Sequence, residues 1–218
     1  MSQEEIEVHP VDQDLTGNTT LMPGDLIYKD VNGDNQIDWR DQAVIGASGL
    51  PNTMYSMDMG ISYKGLQLMM LWQGAANYVV NFSGSAAGAF SNESIPLEQH
   101  YDYRAIVDEG VITNPDDFEL PPVTQIGRSQ NNLEGSDFWT YDTRYIRLKN
   151  LNVSYSFPDT MFDRVGVKEF IVYVSGTNLW TLSNLGIWKD SFDPEVVGQD
   201  GKDYPPIKTI TFGVRLSL

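Results

Sequence analysis

The chain contains no cysteine in 218 residues, which excludes a disulfide framework, a zinc–thiolate centre and a thiol nucleophile. Histidine is nearly as scarce. His9 and His100 are the only two and lie far apart in polar stretches, which reads as ordinary surface histidine rather than a catalytic pair. Positive charge is also short: 14 Lys and Arg stand against 30 Asp and Glu, a net charge of −16. Nucleic acid needs a basic footprint and is excluded; a solvated or cation-facing surface fits. The longest apolar run is "LMMLW", Leu68 to Trp72, far below the roughly 18 residues of a membrane helix. Met1 is followed by "SQEEIEV", without the basic start and apolar core of a signal peptide. A membrane, if there is one, is met with strands.

Helical periodicity is scarce too. Met1 to Gly24 is polar and reads as loop, and "YDYRAIVDEG", Tyr101 to Gly110, as one short helix stopped by glycine. What the chain does have is alternation of period two. From Asn52 to Tyr63, Tyr55, Met57, Met59, Ile61 and Tyr63 share one face, and Ser56, Asp58, Gly60 and Ser62 the other. Lys64-Gly65 predicts a tight hairpin turn. The return strand puts Leu66, Leu68, Met70 and Trp72 together, opposite Gln67 and Gln73.

Three further strands follow. Thr143 to Phe157 aligns Leu151, Val153, Tyr155 and Phe157, but Ile146 and Leu148 fall on the opposite parity. A β-bulge near Lys149-Asn150 would absorb that slip, since one extra residue resets the faces; the alternative is that Arg147 and Lys149 lie beyond the membrane, where parity no longer matters. Lys168 to Trp180 sets Phe170, Val172 and Val174 against Ser175 and Thr177. The last strand, "ITFGVRLSL", alternates cleanly from Ile210 to Leu218.

Each strand is long enough to cross a bilayer, which takes roughly 9 to 11 residues. Their connections run tight, very long, short and medium. Membrane barrels alternate short periplasmic turns with long external loops. Lys64-Gly65 and "PDTMFDRVGV" therefore fall inside, and the loops Ala75 to Thr140 and Thr181 to Tyr204 outside, with residues 1–51 as a further external loop and residues 52–218 as barrel strands. Tyr63, Trp72, Tyr155, Phe157 and Trp180 at strand ends fit aromatic girdles. A soluble β-sandwich would alternate in the same way; strand length and loop asymmetry favour the membrane.

Before the first strand, "DVNGDNQIDWRD" carries Asp30, Asn32, Asp34, Asp38 and Asp41 at the side-chain positions of an EF-hand loop, with Gln36 at the carbonyl position. Hard oxygen donors at that spacing suit Ca²⁺. Asn35 replaces the usual glycine, and Asn tolerates the left-handed conformation. Asp41 replaces the usual bidentate Glu, so a weak structural Ca²⁺ site is expected. Motifs such as GxSxG, the P-loop and HExxH do not occur. Asp193 with Glu195, or Asp116 with Asp117, could be drawn as paired glycosidase carboxylates, but an acidic chain supplies such pairs by chance. No enzyme is expected.

In order, "PGDLIYKDVNGDNQIDWRDQAVIG", "YKGLQLMMLWQG", "YIRLKNLNVSYSFP", "IVYVSGTNLWTL", "DPEVV" and "YPPIKTITFGVRLSL" resemble the C-terminal region of the SusC/RagA family of TonB-dependent outer-membrane transporters. The last residues also resemble the outer-membrane assembly signal, through Thr211, Gly213, Leu216 and Leu218. The resemblance implies an all-β fold: antiparallel transmembrane strands from the C-terminal part of a barrel of about 22 strands. It implies TonB-powered import of glycans or peptides, a SusD-like surface lipoprotein partner, recognition by the barrel-assembly machinery, and an outer-membrane location. With about five strands and no plug or TonB box, the chain reads as a fragment that does not transport alone. The second reading is a secreted Ca²⁺-dependent adhesion or glycan-binding β-domain. Trp139, Tyr141 and Trp188 could stack on sugars, although girdle or loop packing explains them as well.

Overall fold

In a computed structural model, the chain is described over residues 2–46, 48–91, 94–123, 131–162, 166–195, 200 and 202–218. Its elements are α1 (Gln3–Val8), β1 (Thr53–Tyr63), β2 (Leu66–Ala76), β3 (Val79–Asn81), α2 (Gly84–Ala87), α3 (Glu98–Asp102), β4 (Val107–Asp108), β5 (Val111–Ile112), β6 (Thr140–Asp142), β7 (Tyr145–Ser156), β8 (Glu169–Ser183) and β9 (Thr209–Ser217). They divide into two compact units.

The first unit comprises Met1–Gly46, Val80–Tyr141 and Gly198–Lys202. It unites the segment before the first long strand with the long connection after the second. Side-chain amides make the join. Asn132 donates to the Asp25 carboxylate (2.6 Å) and accepts from the Leu26 amide (2.9 Å), while Asn131 donates to the Leu26 carbonyl (3.1 Å). The Tyr28 hydroxyl donates to the Asn131 carbonyl. Phe82, Ala86, Ala105, Leu120 and Trp139 are buried, so the long connection carries apolar burial of its own.

Two sequence expectations fail in this unit. The polar start is not all loop, because Ser2 and Glu5 form a reciprocal capping box that opens α1; the S-x-x-E spacing is its sequence signal. Tyr101 to Gly110 is not one helix. α3 ends at Asp102, and Glu109 (φ 46°) and Gly110 (φ 81°) form the two-residue turn between β4 and β5. Two successive positive φ values are those of a hairpin turn, which a helix-stopping glycine mimics in sequence.

The second unit comprises Ala47–Val79, Asp142–Val197 and Asp203–Leu218. Its centre is a five-stranded sheet in the order β1-β2-β7-β8-β9, antiparallel throughout. All five expected strands are present. Lys64 (φ 45°) and Gly65 (φ 85°) close the first hairpin in the turn whose twist matches the flanking strands. Gly65 is required twice over, since a Cβ there would strike the Ser156 carbonyl.

The expected bulge is also present. Leu148 of β7 pairs Trp72 and Trp180, and Asn150 pairs Leu71 and Thr177, so Lys149 is skipped on both sides. Asn178 and Leu179 are the matching extra residues on β8, with Asn178 in the left-handed region (φ 52°). The bulge brings Ile146 and Leu148 onto the face of Leu151 and Val153.

Candidate functional site

With the register fixed, side chains of paired residues share a face. Across the sheet one face gathers Met57, Ile61, Leu68, Trp72, Leu148, Val153, Val174, Trp180, Phe212 and Leu216. Six of these residues are exposed, Ile61 at 60% and Phe212 at 76% among them, and Leu68, Trp72, Leu148 and Val153 are half-buried. The opposite face is mostly polar, with Ser56, Asp58, Gln67, Gln73, Arg147, Asn152, Ser154, Ser175, Thr177, Thr211 and Arg215, and Met69, Leu71, Ile171 and Tyr173 lie among them. Monomeric soluble proteins rarely expose so broad an apolar patch. A sheet that is apolar outside and polar inside is the wall of a membrane barrel. Among the described residues no helix is long and apolar enough to cross a membrane.

Two aromatic features fit the edges of such a wall. Trp72 and Trp180 meet edge to face at one end (ring centroids 5.9 Å apart). Near the opposite end Tyr155 and Phe157 pack edge to face at 4.8 Å, and Phe162 and Phe170 at 5.0 Å.

On the polar face, at the β7 end that begins with Tyr145, the chain buries a charge. Arg147 has no exposed side-chain surface. Its guanidinium donates to Asp193 Oδ2 (2.5 Å), Glu195 Oε2 (2.7 Å) and Thr181 Oγ1 (2.9 Å), and lies 5.4 Å from the Tyr145 ring. Lys149 Nζ reaches both Glu195 oxygens, at 3.0 and 2.8 Å. Gln73 Nε2 adds a long bond of 3.4 Å to Glu195. Two cations thus face two carboxylates. Asp193 and Glu195 are structural ligands of Arg147, which accounts for them without glycosidase chemistry.

The acidic loop keeps Asn35 left-handed (φ 60°). Its oxygens, however, are turned to the loop itself. Asp30 accepts from the Gly33 and Asn35 amides, Asn32 from Asp34, and Asp34 from Gln36. Asp41 accepts from Val31, Asn32 and Asp38. Gln36 bridges to Asp12. Arg40 pairs with Asp34 (2.8 Å) and Asp38 (2.7 Å), and so supplies the positive charge. The Arg40 hydrogen bond holds the Asp38 carboxyl below the usual carboxylate range; backbone N–H donors do the same for Asp41. Among the described residues, no group of three or more His, Asp or Glu side chains converges on one point.

The terminal residues split between the faces. Thr211 and Gly213 lie on the polar face and Leu216 on the apolar one; Leu218 follows β9 and is exposed. Gly213 has a packing reason, since the Tyr173 ring covers it and a Cβ would collide with that ring. Trp139 and Trp188 are fully buried, and Tyr141 packs edge to face on Phe82 (5.4 Å). Trp139 and Trp188 therefore do not present stacking surfaces. His100 is buried as well, against the surface reading of both histidines. Its Nδ1 accepts from the Leu97 amide (3.1 Å) and its Nε2 faces the Ala86 carbonyl (2.8 Å). Burial pushes its pKa down, the Ala86 bond only partly opposing it.

The fold and its two faces define a β-barrel wall. Three relatives from Formosa agariphila are similar along nearly the whole chain. TonB-dependent receptor P26 is 27% identical over 231 residues, covering 100% of this chain and 21% of the relative. Receptors P3 and P39 are each 24% identical and cover 90% and 92% of this chain, and 19% of each relative. The RagAB peptide transporter superposes with a TM-score of 0.61 at 22% identity, over 89% of this chain and 20% of that one. The open-open RagAB peptide importer also gives 0.61, over 84% and 19%. No protein-family model matches. The chain is thus similar in sequence to TonB-dependent receptors and in fold to a portion of the RagAB transporter. It spans about a fifth of the length of the curated relatives it matches, and those relatives are named as receptors, not enzymes.

Proposed function

We propose that this chain forms part of the wall and external loops of an outer-membrane importer, energised through TonB and working with a SusD-like surface lipoprotein to take up glycans or peptides. The observation that carries the reading is the apolar face, which stays continuous across all five strands because the bulge at Lys149 restores its phase. Among the described residues the outer strands β1 and β9 each pair on one side only. Unpaired backbone is not tolerated in lipid, so these edges meet further strands. In this reading the Lys64-Gly65 turn faces the periplasm, and the barrel-assembly machinery reads Thr211, Gly213, Leu216 and Leu218.

The test is the mass and location of the native polypeptide, detected with an antibody to the long connection. A heat-modifiable outer-membrane band several times heavier than 24.5 kDa is expected. A soluble or secreted 24.5 kDa species overturns the reading and promotes the Ca²⁺-dependent adhesion domain.

Calcium belongs to this reading only through a rearrangement. An ion held by Asp30, Asn32, Asp34, Gln36, Asp38 and Asp41 has to displace Arg40 from Asp34 and Asp38, and to stiffen the loop in exchange.

A further inference from the structure

The segment after β8 folds back on itself. Residues Gly186–Trp188 make a 3₁₀ turn, Leu185 and Trp188 have no exposed surface, and the Trp188 ring lies 5.7 Å from Phe192. Its two ends are held differently. The entry continues β8 and adds one backbone bond, from the Asn184 amide to the Arg144 carbonyl (3.2 Å). The exit is held by side chains of other segments. The Tyr78 hydroxyl donates to the Pro194 carbonyl (2.8 Å), and Arg147 and Lys149 of β7 grip Asp193 and Glu195.

We propose that Arg147 is the clasp of a strap: its ion pairs hold residues 184–195 down on the strand ends, and their loss lets the strap swing out about Ser183 and Asn184 while the sheet stays intact. The physical basis is the asymmetry of a buried ion pair. Removing one partner strands the other charge without compensation, whereas releasing both to water restores their hydration. Closed and open arrangements are thus both reachable, and the closed one depends on all its charges. Buried Leu185 and Trp188 also favour the closed state, and the strap's exit has to be fixed in place besides. Arg147 does so with a planar fork, one nitrogen to each carboxylate, a geometry that lysine lacks. The inference rests on the geometry of the sheet and holds whatever the cargo.

These 218 residues hold no cysteine, and any cysteine elsewhere in the native polypeptide is first replaced by serine. A single thiol is placed at the buried strap position, Leu185→Cys, in the native polypeptide, and its rate of reaction with a water-soluble maleimide is measured. The closed clasp reacts slowly. Arg147→Gln, and separately Asp193→Asn with Glu195→Gln, raise the rate by about a hundredfold or more, as removal of one side of a buried ion pair implies. Arg147→Lys recovers part of the protection. Heat-modifiability on gels is retained throughout, which reports the intact barrel independently of the strap. If Arg147→Gln does not assemble, the loop-side double variant decides. Fast labelling with the native clasp, or unchanged labelling in the loop-side variant, overturns the inference. Loss of the heat-modifiable band from the otherwise native polypeptide counts instead against the barrel reading.

Discussion

Trp72 and Trp180 meet edge to face, 5.9 Å between ring centroids, across the strand that separates them. They do so because Leu148 pairs with both one residue before the skipped Lys149. The bulge thus brings two aromatic rings to the same level of the wall. Such a pair adds about 0.5–1.5 kcal/mol beyond its buried area.

The wall reading requires these indoles to sit near lipid. Fluorescence of Trp72 and Trp180 is expected to be quenched by brominated acyl chains, whereas buried Trp139 and Trp188 are not reached. Single-tryptophan variants in liposomes check this, and equal quenching of all four contradicts it.

Neighbouring residues of one strand should respond in opposite ways. Leu151 is on the apolar face and Asn152 on the polar one. Leu151→Lys places a charge in lipid, at about 2–4 kcal/mol near the midplane, and is expected to abolish assembly. Asn152→Lys is expected to assemble normally. The heat-modifiable band in outer-membrane fractions reads both.

Gly213 should tolerate no side chain. Gly213→Val pushes the Tyr173 ring off the strand, and a drop in folding yield follows. Combining it with Tyr173→Ser is expected to restore assembly, because removing the ring vacates the space. If the double variant fails like the single one, Gly213 serves the assembly machinery rather than packing.

His100 sets a pH dependence in the first unit. Its folded value lies below the ordinary 6.5 because burial disfavours the charged ring. Its contribution to stability is complete above about 6.5 and falls as pH drops from there toward the folded value, with a limiting slope of about 1.4 kcal/mol per pH unit. Asp25 works in the opposite sense. Burial raises its carboxyl above 3.8 against the bonds from Met22 and Asn132, so stability falls as pH rises from 3.8 through its folded value. An NMR titration of His100 below 6.5 is expected, and His100→Gln is expected to remove the part of the acid loss of stability that sets in just below 6.5, leaving the carboxylate part at lower pH.

Arg40 should compete with calcium. Arg40→Gln leaves Asp34 and Asp38 without their cation, so Tb³⁺ luminescence sensitised by exposed Trp39 is expected to saturate at lower ion concentration than in the native chain. Equal or weaker binding by the variant contradicts the displacement.

Much of this was written in the sequence. Five alternating segments, the Lys64-Gly65 turn and even the slip of phase at Lys149-Asn150 were legible, because a strand's side chains alternate with a fixed period and a bulge leaves a visible break in it. Short polar segments hid more. Glu109-Gly110 served equally well as a helix stop or a hairpin turn, and local composition does not separate them.

What the sequence determined by itself was the strands: period-two patterning depends only on neighbouring residues, and between breaks of phase it sorts the side chains into two faces. The tertiary structure alone decided where the charges went. Nothing local marks Arg147 as buried, since its partners Asp193 and Glu195 lie 46 and 48 residues away. Nor does spacing in the acidic loop reveal that Arg40 occupies the carboxylates that suggested calcium. Strand faces follow from the covalent geometry of the chain, whereas the pairing of a charge depends on which distant segment folds against it.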